Sequence, residues 1–322
     1  LKKIDIRDVG NFLYGHYTDA DNGTGTTAII HTAGATGGVS VQGRAPGTRE
    51  TDLLKAENTV AQIHGITLSG GSAFGLDAAG GVMRYLEEER IGFELLGNII
   101  PIVPSAILFD FLPSTNSVYP DASYGYEAAK RAFQGTEFLS GNQGAGTGAS
   151  VGKVHGFDSA MKSGIGTYAV DAGGVKVGAC IAVNAFGDIM DPETNRIIAG
   201  AYNQKEGFLD TERILRESSS PDSQEGINTT IGCITTNARI TKPEANHLAA
   251  SAHDGLSRCI RPVHTVMDGD AMFVMAEGEK ETSLLTLSTL VVHVVEQAIA
   301  TAVLEAGSAF GLQSAKDIFK ET

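Results

Sequence analysis

The spacing of apolar positions divides the chain into alternating strand and helix segments. Residues 26–31 are short, β-branched and bounded by glycines, which predicts a strand. Apolar residues over 51–62 fall at helical spacing. The run Ile66-Thr67-Leu68 leads into the turn Ser69-Gly70-Gly71-Ser72-Ala73-Phe74-Gly75. A helix over 76–89 then places Leu76, Ala79, Val82, Met83 and Leu86 on one face and ends in the charged run 87–90. Pro101 and Pro104 interrupt the apolar stretch 99–111, which predicts short segments or a sheet edge there. Residues 124–133 read as a helix, and 166–170 and 175–184 as strands; the second strand is nearly all apolar, as expected when both faces are covered. Ile231, Cys233 and Ile234 mark a buried strand that begins abruptly at Thr229. A helix over 243–256 follows, with Thr241 as N-cap and Pro243 in its first turn. Residues 271–276 predict a strand and 284–304 a long, largely buried helix.

Between these segments, 203–228 differs in composition. Residues 217–226 carry no apolar side chain, so they cannot offset their ordering entropy by burial and predict an exposed, mobile loop. The net charge of −14 argues against nucleic acid, which needs a basic face. Three cysteines, Cys180, Cys233 and Cys259, lie far apart in apolar stretches. That spacing suits core residues in a reducing cytoplasm better than a disulfide framework or a zinc site. No uninterrupted apolar run reaches the ~18 residues of a membrane span, and residues 1–5 show no signal-peptide core, so neither membrane nor export is expected.

Several motifs invite chemistry. The glycine-rich loop 144–153 lacks the Ser or Thr that a phosphate-binding loop needs after Gly152-Lys153, where Val154 stands. Its glycines suit a structural turn, or a close backbone approach that aims Lys153 at a reacting centre. The histidines show no metal-ligand spacing and read as surface or satisfied core residues, so no metal and no cofactor are expected. The hexapeptide 71–76 recurs at 307–312, too far apart for a repeat architecture. The junction Gly226-Ile227-Asn228-Thr229-Thr230-Ile231-Gly232 joins the polar loop to a buried strand whose first residue carries a hydroxyl. Cleavage there would leave an α-amine beside that hydroxyl, with a reference pKa of about 7.7–8.0, able to serve as base near neutral pH. An ordinary loop-to-strand boundary looks the same. Asp268-Gly269-Asp270 sets two carboxylates on one side of extended backbone, where they could orient an amine, or could form a plain Asp-Gly turn. Asn184, ending its strand, is a candidate oxyanion donor.

Taken in order and spacing, these residues resemble the P1 (DmpA-type) peptidase family, also grouped as S58, and within it the nylon-oligomer (6-aminohexanoate-oligomer) hydrolase branch. The likeness runs through the turn 68–76, the loop 144–152, Lys162-Ser163-Gly164-Ile165-Gly166-Thr167, Asn184, the Asn228-Thr229 junction and Asp268-Gly269-Asp270. It implies an α/β fold, a four-layer α/β/β/α sandwich shared with ornithine acetyltransferases. It also implies a single catalytic domain that cuts itself into 1–228 and 229–322, hydrolyses small amides or short peptides without a metal, and assembles as a homo-oligomer, a tetramer of processed heterodimers. The nucleophile of the family falls on Thr229, its oxyanion asparagine on Asn184, and the carboxylate pair of the nylon branch on Asp268 and Asp270. The site lysine falls on Lys153 with one residue of slippage, with Lys162 in reserve. The family's tyrosine has no match, because Leu108-Phe109-Asp110-Phe111 stands in its region. The aminopeptidase branch carries Ser and then Ser-x-Glu at the nucleophile and carboxylate positions, which this chain does not. An aminopeptidase, an acetyltransferase and an uncleaved binding homologue are the competing readings.

Overall fold

A computed structural model describes residues 1–112, 114–115, 117–217 and 228–320. The predicted loop 217–226 therefore lies outside the described residues, apart from Glu217. Ten strands form one mixed sheet: β1 Lys2–Ile4, β2 Phe12–Asp19, β3 Thr24–Val41, β4 Thr48–Arg49, β5 Gln62–Ser69, β6 Ser105–Ile107, β7 Ile165–Ala172, β8 Val175–Asn184, β9 Thr229–Ala238 and β10 Ala271–Lys280. Their order is β1-β7-β8-β9-β10-β3-β5-β6-β4, with β2 also on β3. Only β9–β10 and β5–β6 are parallel. Four long helices complete the frame: α1 Ala78–Glu88, α2 Ala122–Phe133, α3 Lys242–Cys259 and α4 Leu284–Leu304.

The long β3 folds this sheet onto itself. Its first half pairs with β2 and β5, and its second half, from Thr36 to Val41, pairs with β10. Register shifts between Ile30 and Ala35, around Gly34, where φ is +81°. Strand alternation then builds the layers. On β8, Cys180 and Ala182 point inward with Ile29, Ile66, Leu68, Ile231 and Phe273, forming an apolar layer between the two halves of the sheet. Ala179, Ile181 and Val183 point the other way, onto Leu248, Ala252, Val291 and Val295 of α3 and α4. On β3, Ala28 and Ile30 turn from Ile29 toward Ala79, Val82, Ala128 and Ala129 of α1 and α2. This is the expected α/β/β/α sandwich.

Helix bounds follow local chemistry. Glu244 accepts the Thr241 N–H and the Thr241 hydroxyl, each at 2.7 Å, at the start of α3. Gly81 and Gly125 let α1 and α2 touch, since a Cβ at either would lie within 2 Å of a carbonyl on the other helix. By length and composition α4 could cross a membrane, but it packs on β7 and β8 and most of it is buried. All three cysteines are free and buried, with Cys180 opposite Cys233 across β8 and β9.

The helical spacing over 51–62 misleads. Only a 3-10 turn, Asp52–Leu54, forms before β5 begins at Gln62. The carbonyls a helix would use internally go elsewhere: Lys242 Nζ takes those of Leu53, Asn58 and Val60 at 2.7–2.8 Å, and Asn246 takes that of Leu54 at 3.0 Å. The stretch 99–111 is broken as expected, but its short strand β6 lies inside the sheet between β5 and β4. The two hexapeptides adopt different turns, with positive φ at Gly71 and Ser72 in one and at Phe310 and Gly311 in the other.

Candidate active site

Strand register brings the site together. Thr229 opens β9 and Asn184 closes β8, directly opposite each other and almost fully buried. Because β10 runs parallel to β9, the residues before both strands also lie side by side, and Asn228 bridges to Asp268. The Gly269 N–H donates to the Asn228 carbonyl at 3.0 Å, and the Thr229 hydroxyl donates to the same oxygen. Two donors thus meet at the peptide group preceding Thr229. A Cβ on Gly269 would stand 2.9 Å from Thr229 Oγ1 and 2.6 Å from the Ala45 carbonyl, so a side chain there would crowd the hydroxyl. The end of β3 and the loop after it hold the Asp268-Gly269-Asp270 backbone. Gln42 and Gly43 donate to Asp270 O, and Ala45 donates to Asp268 O at 2.9 Å.

Asp270 accepts the Thr230 N–H at 2.6 Å through Oδ1. Its Oδ2 takes His264 Nδ1 at 2.7 Å and the His264 backbone N–H at 3.3 Å. Asp268 accepts the Thr265 N–H at 2.7 Å. Burial first, and repulsion from Asp270 second, push the Asp268 carboxyl up to about 6, against the Thr265 hydrogen bond and the Lys153 cation. Lys153 is buried, and its Nζ donates to Asn184 O at 3.0 Å and Asn184 Oδ1 at 2.8 Å. Burial pulls its ammonium down to about 7, while Asp268 pulls the other way. A lysine held there exchanges a proton near neutral pH. Asn184 Oδ1 also accepts the Ser150 N–H at 3.0 Å, and Nδ2 donates to the Phe109 carbonyl at 2.8 Å.

The structure thus gathers Asn228, Thr229, Asn184, Lys153, Asp268 and Asp270 around one buried peptide group. Lys162 serves elsewhere: its Nζ donates to the carbonyls of Gly146, Ala149 and Ser163, pinning the glycine loop from behind. The unmatched tyrosine region contributes the Phe109 carbonyl to Asn184. Two features escaped sequence reasoning. One is the Gly269 N–H, a main-chain group that spacing cannot reveal. The other is His264, read with the other histidines as surface or core; the only sequence signal was its position six residues before Asp270. Among the described residues, no group of three or more His, Cys, Asp or Glu side chains could hold a metal.

Comparison with known proteins places this geometry. The family model for peptidase family S58 matches residues 5–316. The chain belongs to peptidase family S58. An uncharacterised aminopeptidase of Mycobacterium tuberculosis is 36% identical over 98% of this chain and 97% of its own length. A 6-aminohexanoate-oligomer endohydrolase of a Kocuria species is 35% identical over 82% of this chain and 72% of the relative. Among solved structures, the L-aminopeptidase D-Ala-esterase/amidase of Ochrobactrum anthropi, described as a variant of the Ntn-hydrolase fold, superposes with a TM-score of 0.67 at 17% identity, covering 97% of this chain and 92% of the other. A β-aminopeptidase of a Burkholderia species gives a TM-score of 0.65 at 20% identity, covering 98% and 92%. This S58 member is an amide-bond hydrolase with an Ntn-hydrolase fold.

Proposed function

We propose that this S58 hydrolase cuts itself between Asn228 and Thr229 and then hydrolyses linear amides with Thr229 as N-terminal nucleophile. The supporting observation is the Asn228 carbonyl, which accepts the Gly269 N–H at 3.0 Å and lies against the Thr229 hydroxyl. In the first reaction Thr229 Oγ adds to the Asn228 carbonyl carbon, and charge develops on the oxygen that Gly269 already binds. The C–N bond breaks, the nitrogen takes a proton, and an ester joins Asn228 to Thr229 Oγ. Water hydrolyses the ester, freeing the Asn228 carboxylate and restoring the hydroxyl beside a new α-amine.

In turnover the α-amine accepts the hydroxyl proton as Oγ attacks the substrate amide. Asn184 and neighbouring N–H groups steady the oxyanion. Lys153, held on Asn184 and beside Asp268, stabilises charge and moves protons near pH 7. Asp268 and Asp270 hold the amine and lysine in place. The protonated α-amine then passes its proton to the scissile amide nitrogen as the C–N bond breaks, the fragment departs as a neutral amine, and water hydrolyses the ester left on Thr229 Oγ.

The substrates proposed are 6-aminohexanoate oligomers and short linear peptides. The carboxylate pair at 268 and 270 supports the oligomer branch, and the 36% identity to a protein named as an aminopeptidase supports removal of N-terminal residues. Incubation with both substrate types, with products identified by mass, separates the two. Internal cleavage of the oligomer marks the first, stepwise loss of single N-terminal residues the second. Absence of amide hydrolysis by a protein beginning a chain at Thr229 would defeat both. We further propose that the processed chains assemble as a tetramer of heterodimers.

A further inference from the structure

His264 sits between Asp270 and His253 of α3, and the mechanism above gives it no task. Its Nδ1 lies 2.7 Å from Asp270 Oδ2, and its backbone N–H lies 3.3 Å from the same oxygen. Asp270 Oδ1 in turn receives the N–H of Thr230, the residue that follows the nucleophile, at 2.6 Å. The ring is backed by His253 of α3, with centroids 4.8 Å apart, and His253 Nε2 is tied to the Ser40 carbonyl of β3 at 3.1 Å. His264 Nε2 is buried with no hydrogen-bond partner among the described residues. The backbone at His264 has φ +54°, a left-handed conformation uncommon for a residue with a side chain. The local fold accepts a strained backbone and an unmatched ring nitrogen in order to present two donors to one carboxylate oxygen.

We propose that His264 is a positioning residue that locks the Asp270 carboxylate in the rotamer that grips Thr230, and so fixes the Thr229 amine and hydroxyl. For the ring to donate to Oδ2, its proton must sit on Nδ1. With both oxygens engaged, one from β9 and one from the loop before β10, Asp270 cannot rotate toward Asp268. Without the ring, Oδ2 keeps only the longer backbone contact, and the carboxylate is free to leave Thr230. His264 touches neither substrate nor the reacting atoms, so its loss acts on kcat through Asp270 and leaves KM nearly unchanged.

This inference rests on Thr229 as nucleophile, and the test separates the two. Five variants are made in the full chain: T229A, H264L, H264N, D270N and H264L/D270N. Asparagine can place an N–H near the position of Nδ1; leucine cannot. If T229A keeps activity, the nucleophile reading itself is wrong. With T229A inactive, H264L should lose roughly 10- to 100-fold in kcat, the scale of a displaced reacting group, with KM within about twofold. H264N should recover most of that loss. The double variant should be no slower than D270N alone, because His264 acts only through Asp270. Wild-type kcat in folded H264L would overturn the proposal. So would equal losses in H264N and H264L, or full additivity with D270N. Should H264L not fold, H264A assayed with and without added imidazole replaces it: rescue of kcat by imidazole supports the proposal, and an unimpaired or unrescued H264A overturns it.

Discussion

Replacing Lys153 by Met should abolish turnover and also remove a specific pH dependence of stability. The side chain is fully buried, and burial holds its ammonium near 7 instead of the ordinary 10.5. The unfolded chain therefore binds a proton across a pH range where the folded chain does not, and stability rises with pH there. The penalty is absent above the unfolded value of 10.5 and complete once pH falls through about 7. Between pH 8 and 9.5, Lys153 alone should add about 2 kcal/mol to unfolding stability, since a full proton is worth about 1.4 kcal/mol per pH unit. The comparison belongs in uncleaved chains, so urea unfolding is measured for T229A and T229A/K153M at both pH values. The contribution of Lys162, also held near 7 by burial, is common to both proteins and cancels. T229A should gain about 2 kcal/mol over this window relative to the double variant. Parallel behaviour of the two would refute the reasoning, because burial would then not hold the Lys153 ammonium near 7.

Thr229→Ala should stay a single chain and be inactive, as seen on a denaturing gel and in an amide assay. Gly269→Ala should slow self-cleavage about 100-fold or more, because its Cβ would stand 2.9 Å from Thr229 Oγ1; time courses of processing after synthesis measure this. Asp268→Asn and Asp270→Asn should each lower kcat far more than melting temperature, whereas a plain turn would show the opposite. The turnover rate should rise with pH through the titration of the α-amine, near its reference of about 7.7–8.0 before the site shifts it, and a pH–rate profile checks that rise.

Much of this site could be read from the chain because it is built on regular elements. The apolar run 175–184 forms a strand with those bounds, so Asn184 falls at its end, and β9 begins at Thr229 where polar sequence gives way to apolar. Helix α4 likewise spans 284–304 as its apolar spacing predicts. What stayed hidden depends on tertiary reach. Lys153 and Lys162 are both buried lysines near glycine loops; only the side-chain paths send one to Asn184 and the other to loop carbonyls. The helical spacing over 51–62 loses to Lys242 and Asn246, which are distant in sequence and capture its carbonyls. His264 lies in an irregular loop, where no periodicity links it to Asp270. The polar loop before Asn228 was read from composition, and most of it lies outside the described residues.

The central claim is that Thr229 becomes a chain terminus. Mass measurement of the active, denatured protein, with N-terminal sequencing of each component, tests it most directly. The account predicts two chains, one ending at Asn228 and the other beginning at Thr229. A single uncut chain with full amide-hydrolase activity would contradict it.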